Sequence, residues 1–127
     1  MIDQNRKRLL GDTVAGYIET LPYELDSDGV GFWVIVSPVR SFGLEGDDLT
    51  EFVRLCIERL LDVGGLAVRL AEHGPLRWSM QEQYGRENSE ISAAIVSEWL
   101  AGGGGNPKWE SLWFVTPRVL RHAPFMP

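Results

Sequence analysis

Residues 48–65, DLTEFVRLCIERLLDVGG, decide the fold of this chain. Their apolar side chains recur every three or four positions and form one unbroken stripe, which is the pattern of an amphipathic helix. Asp48 is placed to cap the start of this helix, and Glu51 stands in the reciprocal capping position. Gly64 and Gly65 follow the stripe, and glycine accepts the left-handed conformation that ends many helices. The sequence therefore predicts a helix that begins at Asp48 and ends at the two glycines.

The next stretch, residues 66–84, reads LAVRLAEHGPLRWSMQEQY. Large apolar side chains occupy every second position over 66–71, and large side chains do so again over 78–84. Alternation with a period of two is typical of strands. His73-Gly74-Pro75 lies between the two segments and has the composition of a turn. We therefore predict a β-hairpin directly after the helix.

The N-terminal part of the chain predicts one more helix and one more strand. Helical spacing of apolar residues indicates a helix over about residues 4–20, which we expect to end before Pro22. Asp26-Ser27-Asp28-Gly29 has turn chemistry. Residues 30–36, VGFWVIV, are apolar without alternation, which indicates a strand covered on both faces.

The C-terminal part predicts a third helix and a last strand. Asn88 or Ser89 can cap this helix, and the run Gly102 to Gly105 ends it. Residues 109–116, WESLWFVT, carry large side chains on both faces and indicate a strand. We expect residues 117–127, with three prolines, to form a surface tail.

The predicted order is an N-terminal helix followed by βαββαβ, which places the chain in the α+β class as a two-layer sandwich. That string is typical of the ferredoxin-like fold, whose first and third strands are central and whose helices cover one sheet face. Two predicted strands, 30–36 and 109–116, are apolar on both faces, whereas the helices of this fold would cover only one of those faces, so the agreement is partial. Either the N-terminal helix covers the second face, or a dimer does, or the strand order differs.

Length and composition indicate a single globular domain over residues 1–127. The chain carries 18 acidic and 12 basic side chains, a net charge of −6, and is 44% hydrophobic. A domain of this size needs no metal or disulfide for its stability, and a single cysteine excludes an internal disulfide. No apolar run approaches the roughly 18 residues of a transmembrane helix, and the basic N-terminus lacks the apolar segment of a signal peptide. We therefore expect a cytoplasmic protein.

The negative charge is concentrated in residues 12–62, which hold eleven acidic residues and three arginines, a net of −8. Such a surface repels phosphate backbones and argues against nucleic-acid binding, whereas it would steer a basic protein towards it. The candidate binding residues form two clusters, within 19–28 and 45–51: Glu19, Glu24, Asp26, Asp28, Glu45, Asp47 and Asp48. The alternative is that these acids are solvated side chains of turns and helix starts without a binding role.

Few residues have the pattern that catalysis or metal binding requires. Cys56 lies within the apolar stripe, which indicates a core residue, and His73 and His122 fall in predicted turn or coil. One cysteine and two distant histidines cannot form a thiolate zinc site, and the acids near Gly29 lack the remainder of a calcium loop. The glycine run follows a helix, whereas a phosphate loop precedes one. We predict no metal and no cofactor.

Two glutamates stand where apolar residues are expected. Glu82 lies between Met80 and Tyr84 on the apolar side of its strand, and Glu98 lies at the edge of a helical stripe. Carboxyl groups in such settings can serve as general acid or base, so both are candidate catalytic residues. Alternatively, they pair with Arg69 or Arg77 or lie at an edge where the stripe meets water.

Five tryptophans, at 33, 78, 99, 109 and 113, are many for this length. Their neighbours include glutamate, serine and leucine and the chain is acidic overall, so core filling is favoured over base stacking, with an interaction patch as the alternative.

In size, acidity and lack of catalytic motifs the chain resembles small bacterial immunity and antagonist proteins, which inhibit a basic effector by covering its site. This resemblance implies a non-enzymatic interaction domain that binds a basic protein partner, and we favour that hypothesis over an enzyme. A second hypothesis is a small-ligand or enzyme domain whose pocket, between sheet and helix, is lined by Glu82, Glu98, Tyr84 and Trp78. A third is a homodimeric structural domain that buries its second apolar sheet face.

Overall fold

The computed structural model describes residues 13–27, 29–38, 42–72, 77–108 and 111–121. In this part of the chain the helices are α1 (Val14–Ser27), α2 (Phe32–Val36), α3 (Gly46–Asp62), α4 (Asn88–Ala101) and α5 (Pro117–Arg121). The strands are β1 (Val30–Gly31), β2 (Leu66–Leu70), β3 (Trp78–Met80) and β4 (Trp113–Val115), and a 3-10 turn spans Glu82–Tyr84. Helices and an antiparallel sheet in one chain confirm the α+β class.

The four strands form one antiparallel sheet in the order β1-β4-β2-β3. The predicted hairpin is confirmed, since β2 pairs with β3 and Leu70 lies opposite Trp78. A ferredoxin-like sheet would place the first and third strands in the centre. Here β4 and β2 are central, and Phe114 of β4 pairs with Val30 on one side and Ala67 on the other. The ferredoxin-like order is therefore not the order of this sheet.

The long strand predicted over residues 30–36 is wrong beyond its first two residues. Only Val30 and Gly31 pair with β4, and the chain turns helical at Phe32, whose backbone N–H donates to the Leu112 carbonyl at 2.9 Å. Phe32, Ile35 and Val36 are buried, and as positions i, i+3 and i+4 they lie on one face of a helix. A short apolar run suits either a buried strand or a buried helical turn, so its composition did not distinguish the two.

The first helix extends beyond its predicted end at Pro22. α1 continues through Pro22 to Ser27, because Leu21 and Leu25 on either side of the proline are both buried in the core. This tertiary packing offsets the backbone hydrogen bond that a proline inside a helix removes. Positions 4–12 of the predicted helix, and Asp28 of the predicted turn, lie outside the described residues.

The remaining helices and strands agree more closely with prediction. α3 has its buried stripe as expected and ends where the backbone N–H of Gly65 donates to the Leu60 carbonyl at 2.8 Å. Its predicted start is wrong, because the helix begins at Gly46, Glu45 is the N-cap without a side-chain cap hydrogen bond, and Asp48 lies in the first turn. α4 ends before the glycine run as predicted, but neither Asn88 nor Ser89 is its cap, because the helix begins at Asn88 and Glu87 is the N-cap without a side-chain cap hydrogen bond. The strand predicted over 78–84 ends at Met80, and the 3-10 turn follows it. β4 is shorter than the predicted strand, of which residues 109 and 110 lie outside the described part.

The main core lies between the helices and one face of the sheet. α1 packs on α3, and α3 packs on α4. The fully buried side chains of this core include Leu21, Ile35, Phe52, Ile57, Leu60, Ile95 and Phe114. The arrangement leaves the outer surface of α1 facing solvent.

A smaller apolar cluster covers the opposite face of the sheet. Val68, Trp78 and Val115 are buried there, and the rings of Trp78 and Trp113 lie 5.4 Å apart. Val119 and Leu120 of α5 pack against this cluster. The first five residues of the expected surface tail are therefore a helix on the second face, while residues 122–127 lie outside the described part.

Candidate functional site

The structure places Glu82 and Glu98 in different cavities. Glu82 belongs to the 3-10 turn and lines a cavity of about 540 Å³ between the end of α3, the start of β2 and the start of α4. Glu98 is on α4 and lines a cavity of about 250 Å³ beside the glycine run. The two candidate carboxylates are thus not positioned to act on one substrate atom.

Glu98 belongs to a hydrogen-bonded group that joins the sheet to α4. Nη2 of Arg69 donates to Oε1 of Glu98 and to the hydroxyl of Tyr84, each at 3.1 Å. The hydroxyl of Tyr84 in turn donates to Oε1 of Glu98 at 2.9 Å. The predicted alternative, pairing of Glu98 with Arg69, is therefore confirmed. We call Arg69, Tyr84 and Glu98 the polar triad.

Local backbone structure explains how the polar triad forms. Alternation along β2 turns Val68 to the second sheet face and Arg69 to the helical side. The strand ends at Met80, and the 3-10 turn brings the ring of Tyr84 into the main core. Burial raises the pKa of the Tyr84 phenol above its ordinary value, against the opposing effect of the Arg69 hydrogen bond. Trp78, predicted to share a pocket with these residues, lies on the opposite sheet face.

An apolar floor lies next to the polar triad in the smaller cavity. Phe32, Trp99 and Leu112 are buried and line it, and the rings of Phe32 and Trp99 meet edge to face at 6.1 Å. The indole N–H of Trp99 donates to the carbonyl of Gly105 at 2.8 Å, which fastens the glycine run to α4. This cavity combines an aromatic floor with one cation and one anion.

Cys56 and the histidines offer no site in the described part of the chain. Cys56 is fully buried in the main core, as predicted, and burial raises the pKa of its thiol well above the ordinary value. His73 and His122 lie outside the described residues. Among those that are described, no group of three histidine, cysteine or acidic side chains could hold a metal ion.

The two acidic clusters belong to neighbouring helices, one on α1 and the other at the start of α3. Tyr17, near the start of α1, packs against Phe52 in the first half of α3, and Leu25, near the end of α1, lies beside the turn at Gly65 that follows α3. The two helices therefore run side by side in the same direction. Asp48 lies near the start of α3, about 18 Å along the helix from Leu60, at a rise of roughly 1.5 Å per residue. Glu24 and Asp26 therefore lie towards one end of the pair, and the acids at the start of α3 lie towards the other.

Individual acidic residues differ in exposure. Glu19, Glu24 and Asp26 are exposed on α1, Glu45 and Asp47 are exposed at the start of α3, and Asp48 is half-buried. Glu19 accepts a hydrogen bond from Nη2 of Arg59 at 3.2 Å, so the two helices are also linked by an ion pair. The position of Asp28 lies outside the described residues.

Sequence reasoning missed Tyr23, which stands among the acids of α1. Its side chain is 79% exposed, more than that of any other large apolar or aromatic residue described. Glu19 is one helical turn before it, Asp26 is nearly one turn after it, and Glu24 is its neighbour. Helical spacing could have found it, since position 23 is out of phase with the buried Leu21 and Leu25. Tyrosine is enriched among the central residues of contact surfaces, so this exposed ring within an acidic surface is a candidate contact residue.

Comparison of the chain with protein-family models, with curated proteins and with solved structures found no match. Over the part of the chain that the structure describes, no helix combines the length and the apolar composition needed to cross a membrane.

Proposed function

We propose that the chain is a non-enzymatic protein-interaction module that binds a basic protein through the outer surface of α1. The observation that carries this proposal is the exposed ring of Tyr23 between Glu19, Glu24 and Asp26. We call these four residues the α1 surface.

The chemistry of the α1 surface fits lysine and arginine side chains. The carboxylates of Glu24 and Asp26 attract cations over a distance of several ångströms, and that of Glu19 does so less because Arg59 already pairs with it. The face of a tyrosine ring accepts a cation directly. Tyrosine is also enriched among the few residues that supply most of the affinity of an interface. The ring of Tyr23 would therefore anchor the contact, and the carboxylates would select basic partners.

The acids at the start of α3 have a different role in this proposal. Glu45, Asp47 and Asp48 lie towards the other end of the helix pair from Tyr23, so they would add to the attractive field without touching the partner. Such a module would act by covering the basic site of its partner, which is the mode that the resemblance to small immunity and antagonist proteins implies.

The test begins with capture of proteins from a lysate of the source organism at low salt, their release at high salt, and purification of any basic protein identified. Binding of that protein is then measured by calorimetry and by stopped-flow kinetics. Tyr23→Ala should weaken binding by at least about tenfold, the loss expected at a central contact residue. The triple substitution Glu19→Gln, Glu24→Gln, Asp26→Asn should slow association and speed dissociation.

The matched control is the triple substitution Glu45→Gln, Asp47→Asn, Asp48→Asn, which removes the same charge at the start of α3. It should slow association and leave the dissociation rate unchanged, because long-range fields act mainly on association. Binding that survives both Tyr23→Ala and the α1 triple substitution, or that does not depend on salt, contradicts the proposal.

A further inference from the structure

The smaller cavity has the size of a site for a small metabolite. Its volume of about 250 Å³ lies below the roughly 300–1,000 Å³ of pockets for drug-sized ligands. Phe32, Ile95, Trp99 and Leu112 give it a buried apolar floor. The cavity therefore has room for a ligand with about as many atoms as one amino acid.

The polar triad supplies both signs of charge at the edge of this floor. Arg69 uses only Nη2 for its two hydrogen bonds, and within the described residues its Nη1 and Nε make none. Glu98 accepts both of its hydrogen bonds at Oε1, which leaves Oε2 without a partner in the same part of the chain. The side chains are 38% and 56% exposed, so both groups are accessible from the cavity mouth. One donor and one acceptor of opposite charge thus stand side by side.

The end of α4 adds to the attraction for a cation near Glu98. The helix ends at Ala101, three residues after Glu98, and Gly102 lines the cavity. The last carbonyl groups of a helix carry partial negative charge, which favours a positive group beside them. An ammonium group at Glu98 would therefore meet both a carboxylate and the negative end of a helix.

From these observations we propose that the cavity binds a free α-amino acid with an apolar side chain. The carboxylate of the amino acid would bind Nη1 of Arg69, its ammonium would bind Oε2 of Glu98, and its side chain would lie on Phe32 and Trp99. This site is separate from the α1 surface, and the inference does not depend on the proposed protein partner.

Calorimetric titration of the full chain with L-phenylalanine and with L-leucine tests the proposal. We expect saturable binding of one molecule per chain. N-acetyl-L-phenylalanine lacks the ammonium and L-phenylalaninamide lacks the carboxylate, so each should bind at least about tenfold more weakly, as expected for the loss of a charged hydrogen bond. Absence of saturable binding for both amino acids up to millimolar concentration overturns the proposal. If N-acetyl-L-phenylalanine or L-phenylalaninamide binds as tightly as L-phenylalanine, the proposal is overturned as well.

Variants assign the binding to the cavity. Arg69→Gln and Glu98→Gln should each weaken binding of L-phenylalanine by about tenfold or more. Glu87→Gln is the matched control, because Glu87 is exposed at the opposite end of α4 and the substitution removes the same charge. It should leave the dissociation constant unchanged, and an equal effect of Glu87→Gln and Glu98→Gln contradicts the site.

A nuclear magnetic resonance measurement on the unmodified protein keeps the proposal testable if Arg69→Gln fails to fold. The indole N–H of Trp99 lies at the cavity and is assigned by the loss of its signal in Trp99→Phe. L-Phenylalanine should shift this signal and leave that of Trp78, on the other sheet face, in place. A shift of Trp78 without one of Trp99 would locate the binding elsewhere and refute the assignment.

Discussion

The hydroxyl of Tyr84 donates a 2.9 Å hydrogen bond to Oε1 of Glu98, and this contact ties the turn after β3 to α4. Arg69 of β2 donates to both groups, so three separate segments of the chain meet at one point. The ring of Tyr84 is buried while the carboxylate of Glu98 faces solvent. The contact therefore fixes the edge of the core where the smaller cavity begins.

Removal of the Tyr84 hydroxyl should destabilise the protein modestly. Tyr84→Phe keeps the buried ring and deletes two hydrogen bonds, and a net loss of about 1–2 kcal/mol in the free energy of unfolding is expected. Urea unfolding monitored by circular dichroism measures it. Tyr23→Phe is the control, since the exposed Tyr23 should tolerate this change within about 0.5 kcal/mol. Equal stability of Tyr84→Phe and the unmodified protein would contradict the structural role of the polar triad.

The same phenol predicts a loss of stability in alkaline solution. Burial raises the pKa of Tyr84 above its ordinary value of 10.0. Between that value and the higher pKa of the folded state, the unfolded chain is ionised and the folded chain is not, so unfolding releases a proton. The contribution of Tyr84 is therefore present in full below about pH 10 and falls as the pH rises through the folded-state pKa.

The check on this pH dependence is a comparison of the unmodified protein with Tyr84→Phe. The free energy of unfolding is measured for both from pH 8 upwards. The difference between the two proteins should shrink above about pH 10, because only the unmodified protein loses the contribution of this phenol. A difference that stays constant or grows with pH would show that the pKa of Tyr84 is not raised by folding.

The sequence predicted correctly those helices and strands whose buried side chains and terminating residues form one short contiguous pattern. The stripe of α3 and the two glycines after it are such a case, and the observed helix matches them. The course of α1 through Pro22 was not predictable in this way, because burial of Leu21 and Leu25 depends on contact with α3. The sheet order depends on pairs such as Gly31 with Trp113, which are far apart in the chain.

The candidate site was predictable to a similar degree. The pairing of Glu98 with Arg69 was one of the alternatives that the sequence left open, and the structure selects it. The separation of Glu82 from Glu98 was not predictable, because it results from the end of the strand at Met80 and the 3-10 turn after it. Tyr23 was overlooked because its significance lies in its exposure, which depends on what the rest of the chain leaves uncovered.

Gly29 should be intolerant of any side chain. Its φ of +105° lies in the region that favours glycine, and a Cβ there would be 2.9 Å from the Phe114 carbonyl oxygen of β4. Gly29→Ala should therefore lower the free energy of unfolding by about 1–3 kcal/mol. Gly105→Ala is the control, because Gly105 does not have a positive φ and a Cβ there meets nothing within 4 Å. If both variants unfold at the same urea concentration, the tight approach of Gly29 to β4 is refuted.

Cys56 should be unreactive in the folded protein. Its side chain is fully buried on the core face of α3, and burial raises the pKa of its thiol, so the reactive thiolate is scarce and out of reach of reagents. In the folded protein, a thiol-specific chromogenic reagent should therefore modify Cys56 only as fast as the core opens. In urea, where the chain is unfolded, the same reagent should modify Cys56 immediately. Because α3 packs against both α1 and α4, a labelling rate that follows global stability would show that these helices open together with the core. Rapid labelling in the absence of urea would instead mean that α3 separates from its neighbours under native conditions, and the core would not be the single cooperative unit that its packing indicates.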